Sequence, residues 1–324
     1  MALLVLPASN ADADLQLDWL EFRAFFDEFG KARLDELSGG RRTLEEEQSE
    51  DIAEFDVADD AFRSDIETEL DVRKKKLGSA YPFDMSGDGE EIELIVPADS
   101  ENACFYLLCL IASHISKSPI LTTPPEGEIL TRFRNRVYQI MGTLAVAGHA
   151  GGPAISLGFP RATKESILDA LRRAENWGIG LAPRDKPGRH SQPRSKDGGI
   201  DVIGWPVQDQ PPPAVIWFGQ LASGHDWVEK PAHLEYDQFM NDFFEDRGTG
   251  QHTYMTLIPF RITDPLVWDR ASTKHKFICD RCSTPKHALA GIALSKLGVN
   301  LDEIGNLAQV TGWIADYRVY ALAA

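Results

Sequence analysis

Apolar residues recur at helical spacing through the first half of the chain. Residues 13–36 set leucines, phenylalanines and a tryptophan among acidic residues, a broad stripe that predicts an amphipathic helix. Residues 57–76 predict a second helix, and the cations that follow in its last turn suit the negative end of the helix dipole. Residues 101–116 are apolar nearly all round and predict a buried helix, and residues 126–148 predict another. This half of the chain is therefore expected to be mostly helical.

After Pro160 the pattern changes to helices that alternate with short strands. Uninterrupted runs of β-branched and aromatic residues are typical of strands that are buried on both faces. The elements predicted here are, in order, a helix at 162–178, strands at 200–205 and 214–222, a helix at 227–244, and strands at 254–260 and 276–280. The predicted fold class is α/β (α+β), with a helical N-terminal domain over residues 1–160 and a mixed-sheet core flanked by helices over residues 161–324.

The net charge of −17 is unevenly placed along the chain. Residues 1–72 contain 21 Asp and Glu against 6 Lys and Arg, so this segment carries −15 and the rest of the chain only −2. Because nucleic acid is bound mainly through neutralisation of its phosphates, a nearly neutral body can still hold a basic patch that binds it. The acidic segment predicts either a solvated helical face or an interaction surface that shields such a patch.

Membrane insertion and a disulfide framework are not indicated. No apolar run approaches the ~20 residues that a membrane-spanning helix needs. The apolar start MALLVLPAS lacks the basic region of a secretory signal peptide. Four cysteines in 324 residues do not suggest paired disulfides. The sequence predicts a cytoplasmic protein with reduced thiols and no membrane partner.

A glycine pair and two polar residues stand out among the predicted strands. The segment KDGGIDVIGW contains Asp201, and the following strand carries Gln220 within FGQLASG. This pattern resembles the PD-(D/E)xK nucleases, which have a restriction-endonuclease-like fold, and in particular the methyl-directed restriction endonucleases. Members of that group read roughly G-G-x-G-I-D, followed by a strand that ends Q-C-K. Their Asp and their Glu or Gln hold Mg²⁺ at adjoining strand ends, and a Glu on the preceding helix often completes the site.

The resemblance implies a set of metal ligands in this chain. Asp201 matches the Asp position, and Gln220 matches the Glu or Gln position. Glu165 matches the helix acid, with Asp169 as the alternative. Asp201, Gln220 and Glu165 are therefore expected to bind Mg²⁺ or Mn²⁺.

The resemblance also implies a cation that orients the attacking water, and here the chain departs from the pattern. The lysine expected two residues after Gln220 is Ala222. Lys196, just before the glycine pair, or Lys230, on the following helix, is expected to replace it. His190, Arg194 and Lys196 belong to a basic stretch before Asp201 and are expected to contact DNA phosphates, although the stretch could equally be a solvated loop.

The chemistry of these residues is consistent with a metal site without reference to the family. Mg²⁺ prefers oxygen ligands and keeps several waters, so one carboxylate, one amide oxygen and a backbone carbonyl can suffice. Gly198 and Gly199 have no Cβ, so the backbone there could approach a phosphate closely. The structural alternative is that Asp201 caps a turn and Gln220 bonds the backbone of a buried strand.

These observations imply a metal-dependent DNA endonuclease, or the nuclease subunit of a bacterial anti-phage defence system. Segments such as YPF at residue 81 and GHDW at 224–227 resemble bacterial proteins encoded beside phage-defence genes. The helical first half is expected to regulate the nuclease or to bind a protein partner in a defence complex. The alternative is a catalytically inactive, nuclease-fold recognition or scaffold subunit, which the alanine at the lysine position favours.

A further pattern, H-x3-C-x2-C-x4-H, spans His275, Cys279, Cys282 and His287. This spacing could describe a compact zinc site. Cysteine is among the most often buried residue types, and Cys279 falls in a predicted buried strand. Core packing is therefore the default interpretation of both thiols, and zinc is the alternative.

Overall fold

The computed structural model describes residues 3–8, 10–37, 52–115, 118–158, 161, 165–189, 191, 198–224 and 226–323. The predicted α/β class with a mixed sheet is confirmed. Contacts divide the chain into two compact units, the first made of Met1–Glu126 and Ile314–Ala324 and the second of Gly127–Trp313. The division thus falls after Glu126, whereas the sequence pattern suggested residue 160. No helix among the described residues is long and apolar enough to span a membrane.

The first unit combines helices with a small antiparallel sheet. Its elements are α1 (Ala13–Phe26), β1 (Lys31–Arg33), α2 (Ile52–Leu77), β2 (Phe83–Met85), β3 (Glu91–Leu94) and α3 (Glu101–Ser113). The strands lie in the order β1-β3-β2. Helix α1 begins where the carboxylate of Asp12 accepts the N–H of Leu15 at 2.9 Å, an N-cap that satisfies one of the unpaired amides of the first turn.

A fully buried arginine organises the interior of this unit. Arg73 of α2 is 0% exposed, and its guanidinium lies 2.6 Å from Asp14, 2.8 Å from Asp18, 2.9 Å from Glu21 and 2.9 Å from Glu69. Asp18 and Glu21 are themselves buried on α1. Part of the acidity of the N-terminal segment therefore faces this cation inside the unit, and is neither a solvated face nor a docking surface.

The second unit holds a five-stranded sheet between helices. Its elements are α4 (Gly127–Arg132), a π-helical segment (Phe133–Val137), α5 (Tyr138–Ala150), β4 (Ala154–Ser156), α6 (Ile167–Asn176), β5 (Val202–Gly204), β6 (Val215–Leu221), α7 (Ala232–Phe243), β7 (Gln251–Leu257), α8 (Pro265–His275), β8 (Ile278–Cys279), α9 (Thr284–Lys296) and α10 (Ala308–Ala323). From Ile314 onward, α10 belongs to the first unit. The helix and strand order predicted after Pro160 is present. Most of these elements are shorter than predicted, whereas β7 has the predicted length but begins three residues earlier.

The sheet is mixed, with the order β4-β5-β6-β7-β8. Strands β4, β5 and β6 pair antiparallel, whereas β6, β7 and β8 pair parallel. Parallel neighbours need a crossover, and α7 supplies it between β6 and β7. The register places Val202 of β5 opposite Gly219 of β6, so the start of β5 lies beside the end of β6.

Helices cover both faces of this sheet. Ile203 and Phe218, which are opposite each other, belong to a buried cluster with residues of α6 and α7 such as Leu171 and Phe239. Successive strand residues point to opposite faces, so Gly204 and Gly219 face the other way. Val146 of α5 lies against both glycines there. Helix α5, which the pattern assigned to the helical first half, therefore forms one layer of the sheet unit.

Helices α5 and α9 touch through glycines. A Cβ at Gly148 would overlap the backbone oxygen of His287, and a Cβ at Gly291 would overlap that of Leu144. Backbone atoms cannot move aside as a side-chain tip can. We expect Gly148→Ala to lower the unfolding free energy by about 1–3 kcal/mol, the usual cost of overpacking, in urea denaturation.

Gly312→Ala in α10 is the matched control for this prediction. A Cβ at Gly312 would meet nothing within 4 Å, so alanine there should be neutral or stabilise the helix by up to about 1 kcal/mol. Equal effects of the two substitutions would show that the contact between α5 and α9 is not tight.

Candidate functional site

The backbone of Asp201 is held from several sides. Its carbonyl oxygen accepts the N–H of Leu157 at 2.8 Å, the N–H of Gly158 at 3.0 Å and the side-chain amide of Gln139 at 2.8 Å. Its own N–H donates to the carbonyl of Gly219 at 3.0 Å. The segment directly after β4, strand β6 and helix α5 thus all hold the backbone of this one residue.

The carboxylate of Asp201 lies against the end of β6, next to Gln220. Its Oδ2 accepts the backbone N–H of Leu221 at 2.8 Å. Gln220, one residue before Leu221, is partly buried. The buried side-chain oxygen Oε1 of Gln220 has no hydrogen-bond partner among the described residues. Since a buried acceptor without a partner costs about 1–3 kcal/mol, such an atom marks a place where a ligand could bind.

The two residues together present oxygen donors from neighbouring strands. A carboxylate and an amide oxygen are ligands that Mg²⁺ and Mn²⁺ accept. The register of β5 and β6 thus brings Asp201 and Gln220 together. In agreement with the structural alternative, Oδ2 of Asp201 accepts a backbone N–H. Oε1 of Gln220, by contrast, has no hydrogen-bond partner among the described residues.

Glu165 is placed differently. Its carboxylate lies 2.6 Å from Nη1 of Arg173, whose guanidinium also bonds Asp302 at 2.8 and 3.2 Å. Burial alone would lower the pKa of Arg173, but the bonds to these two carboxylates raise it, so the guanidinium stays charged. Asp302 also accepts the N–H of Ser156 at 3.0 Å. Glu165 therefore serves a Glu–Arg–Asp cluster instead of standing free for a metal ion.

This cluster borders a cavity of about 250 Å³. Its polar lining comes from Ser156, Arg161, Glu165, Arg173, Asp302, Glu303 and Asn306. Glu303 is ion-paired with Arg136 as well. Burial raises the pKa of the Asp302 carboxyl, and the hydrogen bonds from Arg173 and Ser156 oppose this rise. Asp169, the alternative helix acid, is exposed and completes the capping box of α6 with Ser166.

The predicted lysines do not join the Asp201–Gln220 pair in the described part of the chain. Lys230 Nζ lies 2.6 Å from Asp226 Oδ2, and this bond lowers the pKa of Asp226. The Lys230 side chain is 47% exposed. Ala222, at the position of the family's lysine, is buried in an apolar cluster with Trp227 and Ile258. Lys196, His190 and Arg194 lie outside the described residues.

The glycine pair before Asp201 has a packing role. Gly198 and Gly199 have φ values of +65° and +80°, in the left-handed region that favours glycine. A Cβ at Gly198 would contact Phe239, and a Cβ at Gly199 would overlap the side chain of Glu235. The space that these glycines leave is thus filled by α7, and the close approach there is made by protein instead of phosphate.

The four residues of the H-x3-C-x2-C-x4-H pattern do not form one cluster. Nδ1 of His275 bonds the hydroxyl of Thr256 at 2.8 Å, and the ring packs 5.0 Å from that of Trp227. Cys279 and His287 do come together, but their third neighbour is His149 from α5. Sequence spacing missed His149 because it lies on another element; a histidine at the end of an otherwise apolar helix was the available signal.

No family model, curated protein or solved structure matches this chain. Within the described residues of the second unit, three polar groups bear on function: the Asp201–Gln220 pair, the Glu165–Arg173–Asp302 cluster and the His149, Cys279 and His287 group. The first group holds two of the three predicted metal ligands, Asp201 and Gln220, and the second holds the third, Glu165.

Proposed function

We propose that this protein is a metal-dependent nuclease that hydrolyses phosphodiester bonds of DNA, as an effector or nuclease subunit of a bacterial anti-phage defence system. The observation that carries the proposal is the Asp201–Gln220 pair at adjoining ends of two neighbouring strands, with a buried amide oxygen that has no partner among the described residues. The defence role derives from the sequence resemblance alone.

The order of elements around the pair supports this function. Helix α6 is followed by β5, β6, α7 and β7, so the pair lies within a helix–strand–strand–helix–strand unit. Asp201 directly precedes β5, and Gln220 lies near the end of β6. The PD-(D/E)xK nucleases, which the sequence resembles, hold Mg²⁺ at adjoining strand ends in this way.

The donor set suits a hard divalent cation. Gln220 Oε1 and the carboxylate of Asp201 would hold the ion, and waters would complete its shell. When bound, such an ion stabilises the charge that develops on the phosphate and lowers the pKa of a coordinated water. The chain's own part is to orient the carboxylate through the N–H of Leu221 and to fix the Asp201 backbone through Gln139 and β4.

The water-orienting cation has two candidates. The exposed pair of Lys230 and Asp226 stabilises the fold by at most about 1 kcal/mol, so Lys230 can leave it at little cost when DNA binds. Lys196 directly precedes the segment that carries Asp201 and is the other candidate. His190 and Arg194 would contact phosphates from the same stretch.

A second function, recognition or scaffolding without cleavage, is favoured by two specific observations. The family's lysine position holds the buried Ala222, and the best-matching helix acid is engaged by Arg173. A protein of this kind would keep the sheet and bind DNA or a defence-complex partner through it.

A cleavage assay separates the two functions. We expect the full-length chain to cut plasmid and linear DNA in Mg²⁺ or Mn²⁺, and to stop when EDTA removes the metal. An RNA substrate of the same sequence tests the choice of nucleic acid. DNA binding without cleavage in either metal would favour the scaffold, and neither binding nor cleavage would contradict both functions.

A further inference from the structure

Three side chains that commonly bind transition metals meet at one place in the second unit. They are His149 in α5, Cys279 in β8 and His287 in α9. One ligand atom from each, an imidazole nitrogen or the thiol sulfur, lies within 4.8 Å of the others. Among the described residues, this is the group of three or more histidine, cysteine or acidic side chains whose spacing suits a metal ion.

Rigid backbone packing brings these three residues together. Gly148, next to His149, is the position where α5 touches the backbone oxygen of His287 in α9. Cys279 lies on the edge strand β8, which pairs with β7 through Leu257. The ligands therefore come from two touching helices and a strand of the central sheet, and not from flexible loop tips.

Both imidazoles are partly buried, and aromatic rings surround that of His149. The ring of His149 packs 4.5 Å from the rings of Trp217 and Phe277, so its environment is apolar on two sides. Burial, together with Lys286, lowers the pKa of His149, and burial with the neighbouring His149 and Lys286 lowers that of His287 to about 4.

The thiol needs to lose its proton to bind. Burial raises the pKa of Cys279 to about 12, against the hydrogen bond from Ser283, which lowers it. A bound transition metal deprotonates a coordinating thiol outright, so one proton is released to solvent as the sulfur–metal bond forms.

The spacing is close to that of a tetrahedral zinc site. Zinc bonds of about 2.0–2.1 Å to nitrogen and 2.3 Å to sulfur place the ligand atoms roughly 3.3–3.6 Å apart. The three atoms here lie within 4.8 Å of one another. Side-chain rotations that move these atoms by roughly 1 Å would bring them to the spacing of a zinc site. Three protein ligands leave the fourth tetrahedral position for water or another ligand.

We propose that His149, Cys279 and His287 bind one zinc ion, at a site separate from the Asp201–Gln220 pair. The two sites differ in ligand chemistry, because nitrogen and sulfur suit zinc whereas carboxylate and amide oxygens suit Mg²⁺ or Mn²⁺. Without a metal, the two rings simply pack edge to face, 4.9 Å apart at 87°, and Cys279 is a core residue.

Cobalt substitution in the full-length protein tests the site. Protein stripped with a chelator is titrated with Co²⁺, and we expect one cobalt per chain, with a thiolate-to-cobalt absorption band that zinc displaces. Cys279→Ser should abolish the band, and His149→Gln or His287→Gln should weaken cobalt binding at least about 10-fold. Circular dichroism of each variant checks that it is folded.

Two variants serve as matched controls. Cys282→Ser changes the other buried thiol of the same segment, and Asp201→Asn changes the oxygen site; both should keep the band. Absence of the band in the wild-type protein overturns the proposal whatever the variants do. A band that survives Cys279→Ser, or that is lost in Cys282→Ser, also overturns it.

Discussion

Arg73→Met should unfold the first unit or leave it marginally stable. The side chain of Arg73 is fully buried, and its guanidinium neutralises carboxylates that are themselves buried. Removing one partner of a buried ion pair costs about 3–5 kcal/mol, because the remaining charges stay in the interior without compensation. Since the free energy of unfolding of a domain is only about 5–15 kcal/mol, we expect the lower stability of the first unit to be measurable at ambient temperature.

The network around Glu21 increases this sensitivity. The hydroxyls of Tyr81 and Tyr106 donate to Glu21 at 2.5 and 2.7 Å. Burial and the neighbouring Glu21 raise the pKa of Tyr81, so its hydroxyl remains a donor. The imidazole of His114 lies 3.2 Å from Asp18. These groups hold the carboxylates in fixed positions that suit a guanidinium. The thioether of methionine has neither a positive charge nor a hydrogen-bond donor for these carboxylates.

Arg63→Met is the matched control on the same helix. Arg63 pairs with Asp59 and Glu90, but its side chain is 28% exposed, so its loss should cost no more than about 1 kcal/mol. Hydrogen exchange of peptides from α1 and α3 reports on the first unit alone. Equal amide protection in the two variants would contradict the central role of Arg73. Amide protection that recovers when Arg73→Met is combined with Asp18→Asn and Glu21→Gln would support it.

Sequence patterns predicted two central strands of the sheet unit closely. The runs at 200–205 and 214–222 are mostly apolar, are bounded by glycine and proline, and each contains the strand observed there. Because short strands alternate with helices along the chain, few pairings of these strands in one sheet are possible. Asp201 and Gln220 could be placed together because both lie on or beside such strands.

Other features depend on contacts that local patterns do not contain. Arg73 heads a run of lysines and looks like a surface cation in a last turn, yet its partner Asp14 lies 59 residues away on another helix. The sequence pattern of α5 predicts a buried helix, but it does not show which other elements pack against that helix. Glu165 fits the family position in sequence, while Arg173 and Asp302 decide what it contacts in space.

Asp201→Asn should reduce metal-dependent cleavage at least about 1000-fold. Asparagine has the same shape and can still accept the N–H of Leu221, so the fold should be unchanged. The substitution removes the negative charge that would hold the cation. A bound cation supplies several kcal/mol of charge stabilisation, and each 1.36 kcal/mol corresponds to about one decade in rate.

Substitutions at Gln220 separate the ligand role from packing. Gln220→Glu keeps an oxygen ligand and introduces the acid that many PD-(D/E)xK nucleases carry at the matching position, so we expect cleavage to persist. Gln220→Leu has similar volume but no oxygen, and should lose cleavage while relieving the buried acceptor that has no partner. We therefore expect Gln220→Leu, like Asp201→Asn, to be folded but unable to cleave DNA.

The most direct test is the rate of DNA cleavage by Asp201→Asn beside that of the wild type and of Asp209→Asn, at equal Mn²⁺ concentrations. Asp209 is an exposed acid of the same unit, so its variant controls for the loss of one negative charge. We expect the wild type and Asp209→Asn to cut at similar rates and Asp201→Asn not to cut measurably. Equal cleavage by all three proteins would place the reaction elsewhere and contradict a site at Asp201 and Gln220.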